Sequence, residues 1–404
     1  MNDLMKLADA MDVGKIASDL VRIPSYSHMD RQEEKIAAYI VDFFEKQGIE
    51  VNRQWVSEGR PNVIARIPGG DGPGLMLTGH MDTVPPYDMK DPFSGSVADG
   101  RVSGRGACDM KGPLAAMMAA MAAIHQSGEM PGGDLFFAAV IDEEEKGTGV
   151  EALIKQWPDV QGVIVGEPTD LAIGLGHKGL EWITVQVSGK KTHSGNLKAG
   201  VNAITMAGRL IHYLEEEYSK VLAQRTHPIL GCGTINIGTI TGGDQPSTVP
   251  DSCQLVLDRR FLPMETREQV YEELVSATEL LKSRYPGFEA TVSNYFKEEE
   301  TLPHLPFCMG MDSSLVQAAM DTMARMDMKP PVVDAFSAWT DGGMIHSQTK
   351  SDCIIIGPGK LDLAHSAYES ISVADLKKAV KLYADIGMTF GKMRQGELAN
   401  ETTD

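Results

Sequence analysis

Short apolar runs recur along the first 180 positions, separated by longer stretches in which apolar residues return every three or four places. The runs Asn62 to Ile67, Leu75 to Thr78, Leu135 to Ile141 and Val163 to Val165 read as strands. Between the second and third lies an Ala/Met-rich helix, Pro113 to Gln126, with Pro near its start and Gly128 just past its end. That is a β-α-β crossover, and its repetition predicts a mostly parallel sheet covered by helices. From about Glu181 the pattern changes to a strand (Ile183 to Val187), a helix (Ala199 to Gln224), two strands (Thr234 to Ile240, Cys253 to Arg259), a helix (Arg267 to Ser283) and a strand (Glu289 to Ser293). This β-α-β-β-α-β order predicts a ferredoxin-like α+β domain. The α/β texture then returns, with a helix over Ser313 to Met326, a buried strand over Cys353 to Ile356 and a closing helix over Val373 to Lys392. The expected architecture is therefore a catalytic domain of residues 1–180 and 297–404 with an inserted domain of residues 181–296. The polar tail Gln395 to Asp404 is expected to fray.

A chain of 404 residues exceeds what one hydrophobic core usually supports, which agrees with two domains. Its 37 Lys+Arg against 56 Asp+Glu give a net charge of −19. That charge repels phosphate backbones and anionic lipid alike, so nucleic acid and membrane partners are not expected. No apolar run approaches a spanning helix, and the start MNDLMKLADAMDVGKIASDLV, with acids where a signal peptide has basic residues, reads as one amphipathic helix. The five scattered cysteines, without a CxxC pair, point to free thiols in a reducing cytoplasm. The many methionines read as core filler.

Ligands of open α/β sheets collect at the carboxyl ends of the strands, so the residues just past each apolar run matter most. LMLTGHMD places His80 and Asp82 after one run, LFFAAVIDEEE places Asp142, Glu143, Glu144 and Glu145 after another, and VIVGEP places Glu167 after a third. His365 lies a short loop beyond IIIGPG, and the glycine-rich GRGACDMKGP supplies Asp109 just before the Ala/Met helix. Taken singly, each has a plain structural reading: a hydrogen-bonded histidine, a solvated acidic turn, a helix cap. Together, two histidines and three carboxylates on one rim would carry a costly negative excess without a cation. Five donors are too many for one tetrahedral zinc but suit two ions about 3.5–4 Å apart that share a bridging carboxylate. The mixed imidazole and carboxylate donors favour Zn, Co or Mn.

The motifs HMDTVP, GRGACDMKGPLAA, DEEEKG, GEPTD, KTHSGNLKAGVNAI, TVPDSCQLVLDRR and GPGKLDLAHSAYE resemble, in order and spacing, the M20 metallopeptidase family. Within it, the acetylornithine deacetylase and succinyl-diaminopimelate desuccinylase branch is the most similar. The resemblance spans essentially the whole chain and implies a dinuclear zinc catalytic domain interrupted by a lid and dimerisation domain. It implies His80 and Glu167 as the private ligands of one metal, Glu144 and His365 as those of the other, and Asp109 as the bridge. Asp82 then holds the His80 imidazole, and Glu143 serves as general base. Sliding the acidic run by one residue leaves the alternative of Glu144 as base and Glu145 as ligand. His193 in KKTHSGN matches the histidine that reaches the opposite subunit's site and stabilises an oxyanion, which implies a homodimer. Arg260 matches the arginine that holds a substrate carboxylate, and Arg259 beside it would point to the other face of the strand as a structural residue.

Three departures from the family pattern fall on specificity elements: Ser247 where Asn is usual before Val-x-Pro, Tyr368-Glu369 where two acids are usual, and Asp341 with Gly342-Gly343 in a looser match to part of the substrate pocket. Ser247 and Asp341 are carried as substrate-contacting candidates. The implied reaction is hydrolysis of an N-acyl-L-amino acid by a metal-bridging hydroxide with Glu143 as base, on acetylornithine-like or succinyl-diaminopimelate-like substrates. A carboxypeptidase-type exopeptidase or dipeptidase is the enzymatic alternative, and a non-catalytic metal-dependent binding protein is the alternative from another class.

Overall fold

The computed structural model describes residues 2–296, 303–326, 328 and 333–401. The chain forms two compact units, one of Met1–Gly176, Met309–Phe336 and Thr340–Asp404, the other of His177–Cys308 and Ser337–Trp339. In the first unit, Gly133–Val140, Gly72–His80, Gly162–Val165 and Asp352–Ile355 lie side by side in that order, all parallel. Their residues are buried almost without interruption, as a sheet covered on both faces requires. Arg60–Ile67 and Glu50–Ser57 extend one side in antiparallel pairing, and Ile173–His177 pairs antiparallel on the other side and carries Val333–Ala335 parallel beside it.

The Ala/Met helix, Lys111–Ser127, is buried from Lys111 to Ile124. Its small side chains let the sheet and the helices Asn2–Ala10, Val13–Val21 and Val373–Glu401 pack against it. Each fully buried Leu, Ile or Met there contributes about 1.5–3 kcal/mol. Gly128, at φ 68°, ends the helix by donating its N–H to the His125 carbonyl. The start expected as one amphipathic helix is two, Asn2–Ala10 and Val13–Val21, divided at Asp12, whose side chain caps the second by accepting the Lys15 N–H. Several elements lie outside the expected set, among them a helix and a strand near the start of the chain. Helix Glu34–Gln47 buries Ile36, Ala37, Ile40, Val41 and Phe44 along one stripe, and the strand Glu50–Ser57 is an edge with no fully buried residue.

The second unit is the inserted α+β fold. Its antiparallel strands run Thr234–Gly242, Ser252–Phe261, Gly179–Ser188, Glu289–Asn294 across the sheet. Numbered along the chain, that is second, third, first, fourth, the ferredoxin-like order. Helices Ala203–Tyr213 and Arg267–Arg284 cover one face, over Ile183, Val185, Leu255 and Leu257. A reciprocal capping box between Thr266 and Gln269 starts the second helix.

The single helix expected over Ala199 to Gln224 is replaced by three pieces, helix Ala203–Tyr213, a π-helical turn Leu214–Tyr218 and helix Ser219–Ala223, after a 3-10 turn that ends at Ala199. The physical reason is that Val201 is extended and exchanges both backbone hydrogen bonds with Lys190. Helix therefore begins only after Asn202, whose side chain accepts from the Thr205 N–H. Of the expected frayed tail, only backbone is described, and helix Val373–Glu401 runs through most of it, with residues 402–404 outside the described residues. Among the described residues no helix is long and apolar enough to cross a membrane.

Candidate functional site

The four parallel strands end side by side, so the loops beyond them converge. His80 is the last residue of Gly72–His80, Glu167 lies two residues past Gly162–Val165, and the acidic run begins two residues past Gly133–Val140. His365 sits beyond Asp352–Ile355 in the left-handed region at φ 60°. Asp109 immediately precedes Met110, the N-cap of Lys111–Ser127, and the peptide between them is cis. Gly106, at φ 83°, lets the GRGACD loop close onto Thr83, because a Cβ there would stand 2.8 Å from the Thr83 methyl.

These loops bring donor atoms into two groups. His80, Asp109 and Glu167 form one, Asp109, Glu144 and His365 the other, with all candidate donor atoms of each group within 4.8 Å of one another. Asp109 belongs to both: Oδ1 is 3.1 Å from His80 Nε2 and Oδ2 is 3.4 Å from His365 Nε2. Glu167 Oε1 lies 3.7 Å from His80 Nε2, and Glu144 Oε1 lies 3.0 Å from His365 Nε2. Glu143 belongs to neither group, although its carboxylate reaches within 4.0 Å of His80 Nε2. Glu145 points elsewhere, 3.7 Å from His28.

Asp82 is fully buried beneath the centre. His80 Nδ1 lies 3.0 Å from the Asp82 carbonyl and 3.6 Å from its Oδ1. With one proton held on Nδ1 by Asp82, the ring aims Nε2 at Asp109 and Glu167, where a cation taking the place of the Nε2 proton would find the tautomer a metal ligand needs. The same Asp82 carboxylate accepts the backbone N–H groups of Glu143 at 3.2 Å and Glu144 at 3.1 Å.

The electrostatics describe a nest of acids that wants a cation. Burial pushes the carboxyls of Glu143 and Glu167 well up, and neighbouring carboxylates add to the rise. Burial raises Glu144 too, against the His365 hydrogen bond. Burial would raise Asp109 as well, but hydrogen bonds from His365 and His80 outweigh it and hold its carboxyl low. Those contacts with Asp109 and Glu144 push His365 up to about 10. A cation among these donors would favour every carboxylate in its charged form. Two imidazoles and three carboxylates, of which Asp109 and Glu167 are buried and Glu144 half-buried, arranged as two triplets sharing one member, fit a pair of Zn, Co or Mn ions.

Asp341, the first residue of helix Asp341–Thr349, is buried, and its Oδ1 has no hydrogen-bond partner among the described residues. Burial pushes its carboxyl up to about 8. The remaining candidates belong to the second unit. His193 is exposed, accepts the Gly195 N–H at Nδ1, and pairs with Thr248, next to the exposed Ser247. Arg260 is half-buried on the open face of the sheet, bound to Asp258. Arg259 turns to the covered face, where it is buried and paired with Glu265 at 2.6 Å.

Other residues hold the loops, and Glu369, expected from the sequence on a specificity element, is one of them. Glu369 accepts the backbone N–H groups of Cys108 at 2.9 Å and Asp109 at 3.0 Å, and is itself paired with the buried Arg105. Arg60 bridges Glu33 and Asp142 at the root of the acidic run. Glu369 carries a usable signal in the SAYE motif, whereas Arg60 and Glu33 carry none.

The family model described as Peptidase family M20/M25/M40 matches residues 76–389. Among curated relatives, the N-formyl-4-amino-5-aminomethyl-2-methylpyrimidine deformylase of Bacillus subtilis is 28% identical over 398 residues, 92% of each chain. An acetylornithine deacetylase of Vibrio atlanticus is 29% identical over 380 residues, 91% of this chain and 95% of the relative. Among solved structures, the Bacillus subtilis YXEP protein, described as a dinuclear metal binding peptidase from the M20 family, has the same fold with a TM-score of 0.71 at 18% identity, covering 94% of this chain and 98% of that one.

Proposed function

Because the chain belongs to peptidase family M20/M25/M40, we propose that it is a two-metal amidohydrolase that cleaves the amide bond of N-acyl-L-amino acids. The carrying observation is that two donor triplets share Asp109 while Glu143 stands beside the centre and in neither triplet. His80, Asp109 and Glu167 would hold one ion, and Asp109, Glu144 and His365 the other, with zinc the first expectation. When bound, the ions supply Lewis acidity toward the amide carbonyl and toward water.

The chain's own residues do the rest. Glu143 takes the proton of the attacking water and returns it to the leaving amine, a task for a half-buried carboxylate beside the donors but outside them. Asp82 fixes the His80 ring and, through two backbone N–H groups, the direction of Glu143 and Glu144. Arg260 presents paired donors to the substrate's carboxylate, and Asp341 and Ser247 contact the substrate. His193 stabilises the developing oxyanion, a contact stronger in the transition state than in the ground state. Its exposure in the second unit fits a residue that serves the site of a second copy of the chain in a homodimer. The acidic surface and free cysteines fit a cytoplasmic enzyme.

The direct test is release of free amine, monitored by mass spectrometry, from a panel of N-formyl, N-acetyl and N-succinyl amino acids and peptides offered to the zinc-loaded protein. Release from the N-acyl amino acids is the expected result. Release from peptides alone would overturn the deacylase reading in favour of a carboxypeptidase or dipeptidase.

A further inference from the structure

The open face of the inserted sheet carries side chains that this reaction leaves unassigned. Strand alternation sends Ile183, Val185, Leu255 and Leu257 under the helices and leaves Leu180, Trp182, Asp258 and Arg260 on the other face. In the register of the two central strands, Trp182 stands directly opposite Asp258, and Leu180 opposite Arg260. Trp182 and Arg260 are therefore diagonal neighbours across the strand pair, about 7–8 Å apart, a span that long side chains close.

Asp258 ties the group together. It accepts the Trp182 indole N–H at 3.1 Å, Arg260 Nε at 2.8 Å and Arg260 Nη2 at 3.2 Å. A guanidinium has two in-plane edges that fit a carboxylate. Asp258 takes the Nε–Nη2 edge and fixes the plane, and among the described residues nothing accepts from Nη1. The remaining edge is thus held ready for a second carboxylate.

On the same face of the sheet lies an uncovered aromatic surface. Trp182 is 37% exposed and Tyr295 45% exposed, with ring centroids 5.8 Å apart edge to face. Phe296 stacks on the indole at 5.6 Å and holds it upright. A cationic side chain bound there would stand close to the fixed positive charge of the Arg260 guanidinium, a repulsion an aromatic or apolar side chain does not meet.

Resting on the reading of Arg260 as the anchor of the substrate's carboxylate, we propose that Leu180, Trp182 and Tyr295 form the pocket for the substrate's side chain. The preferred substrates are N-acyl amino acids with aromatic or large apolar side chains, ahead of those with a cationic side chain. A carboxylate on the free guanidinium edge leaves the side chain of the same amino acid a few ångströms away, within reach of the indole. Asp258 is a positioning residue in this arrangement because it orients both the guanidinium and the indole.

Binding separates this proposal from the chemistry. In a Glu143→Gln background, calorimetry would measure the affinities of N-acetyl-L-phenylalanine, N-acetyl-L-ornithine and N-acetyl-L-phenylalaninamide, with Trp182→Ala, Trp182→Phe and Arg260→Met added one at a time. The expected result is at least tenfold tighter binding of the phenylalanine compound than of the ornithine compound. Trp182→Ala should remove at least fivefold of that affinity while changing ornithine binding less than twofold, and Trp182→Phe, which keeps a ring and the fold, should retain the preference. Tighter binding of the ornithine compound, or equal losses for both ligands in Trp182→Ala, would overturn the pocket. Arg260→Met should weaken both acids and leave the amide unchanged. If it leaves the acids unchanged, the anchor reading itself fails, whatever Trp182 does.

Discussion

Asp82 accepts the backbone N–H groups of Glu143 and Glu144 and stands 3.6 Å from His80 Nδ1, so one carboxylate sets the direction of three candidate site residues. Its own carboxyl is held low: burial would raise it, but His80 and the two backbone donors outweigh burial. Removal by Asp82→Ala should cost about 10–100-fold in metal affinity, the usual effect of losing a group that orients a ligand. Glu143→Gln should behave differently, lowering kcat by about 10²–10⁴ with the metal-to-protein ratio unchanged, because it removes a proton carrier and no donor. Elemental analysis beside steady-state kinetics reads both. A Glu143→Gln protein that loses metal would make Glu143 a ligand and reopen the assignment of the acidic run. At this scale the sequence exposes much of the site, because His80, Glu167 and the acidic run interrupt apolar patterns where a sheet ends. Spacing alone cannot separate Glu144 from Glu145. In the folded chain Asp142 takes φ 68°, after which Glu144 meets His365 and Glu145 meets His28.

The loop that carries those acids is held by the neighbouring antiparallel strand, Arg60–Ile67. Asn62 accepts the Ile141 N–H at 3.1 Å and donates to the Gly149 carbonyl at 2.7 Å, clamping both ends of the loop. Arg60 forks onto Glu33 with two contacts of 2.6 Å and reaches Asp142 at 3.1 Å, while Thr148 donates to Asp142 at 2.7 Å. The Asp142 carbonyl accepts from Glu145, Lys146 and Gly147. Arg60→Met strands two buried acids and should cost up to about 3 kcal/mol, the low end for a buried pair because a quarter of the Arg60 side chain is exposed. If the clamp positions Glu143, kcat measured well below the melting temperature should fall about tenfold with KM within twofold, and Arg60→Lys should restore part of it. A variant that melts earlier but keeps its kcat would reduce Arg60 to a stabilising residue. None of this is visible in a linear pattern, which finds the strand from Asn62 to Ile67 but not its partner. The same limit explains the broken helix after Ala199, since the pairing of Val201 with Lys190 is a tertiary event that overrides helical periodicity. Elements whose periodicity is local and uninterrupted, such as Lys111–Ser127 and Arg267–Arg284, were legible almost to the residue.

All the candidate metal donors belong to one of the two compact units, and the other contains neither triplet. This asymmetry has an energetic consequence for a chain already carrying a net charge of −19. Two divalent cations held by those donors would offset charge only where Asp109, Glu144 and Glu167 are gathered, so their binding free energy would stabilise that fold and not the inserted sheet. A ligand at 1,000 times its Kd adds about 4 kcal/mol to whatever binds it. For a unit of this size, that is a shift of roughly 10 °C in its own unfolding. Hydrogen exchange with and without a chelator resolves the two units without cutting the chain. On chelation, peptides covering 72–82, 105–115, 133–150 and 162–170 should lose protection, while those covering 183–187 and 252–261 should keep theirs. Restoring zinc should reverse the loss, and Asp109→Asn should reproduce it even in excess zinc, because that substitution weakens the one donor common to both triplets. Equal loss of protection in both sets of peptides would show that the chain unfolds as one cooperative block. No loss in either set would mean that the donors hold themselves in place without a cation, and the two-metal assignment would then have to be abandoned.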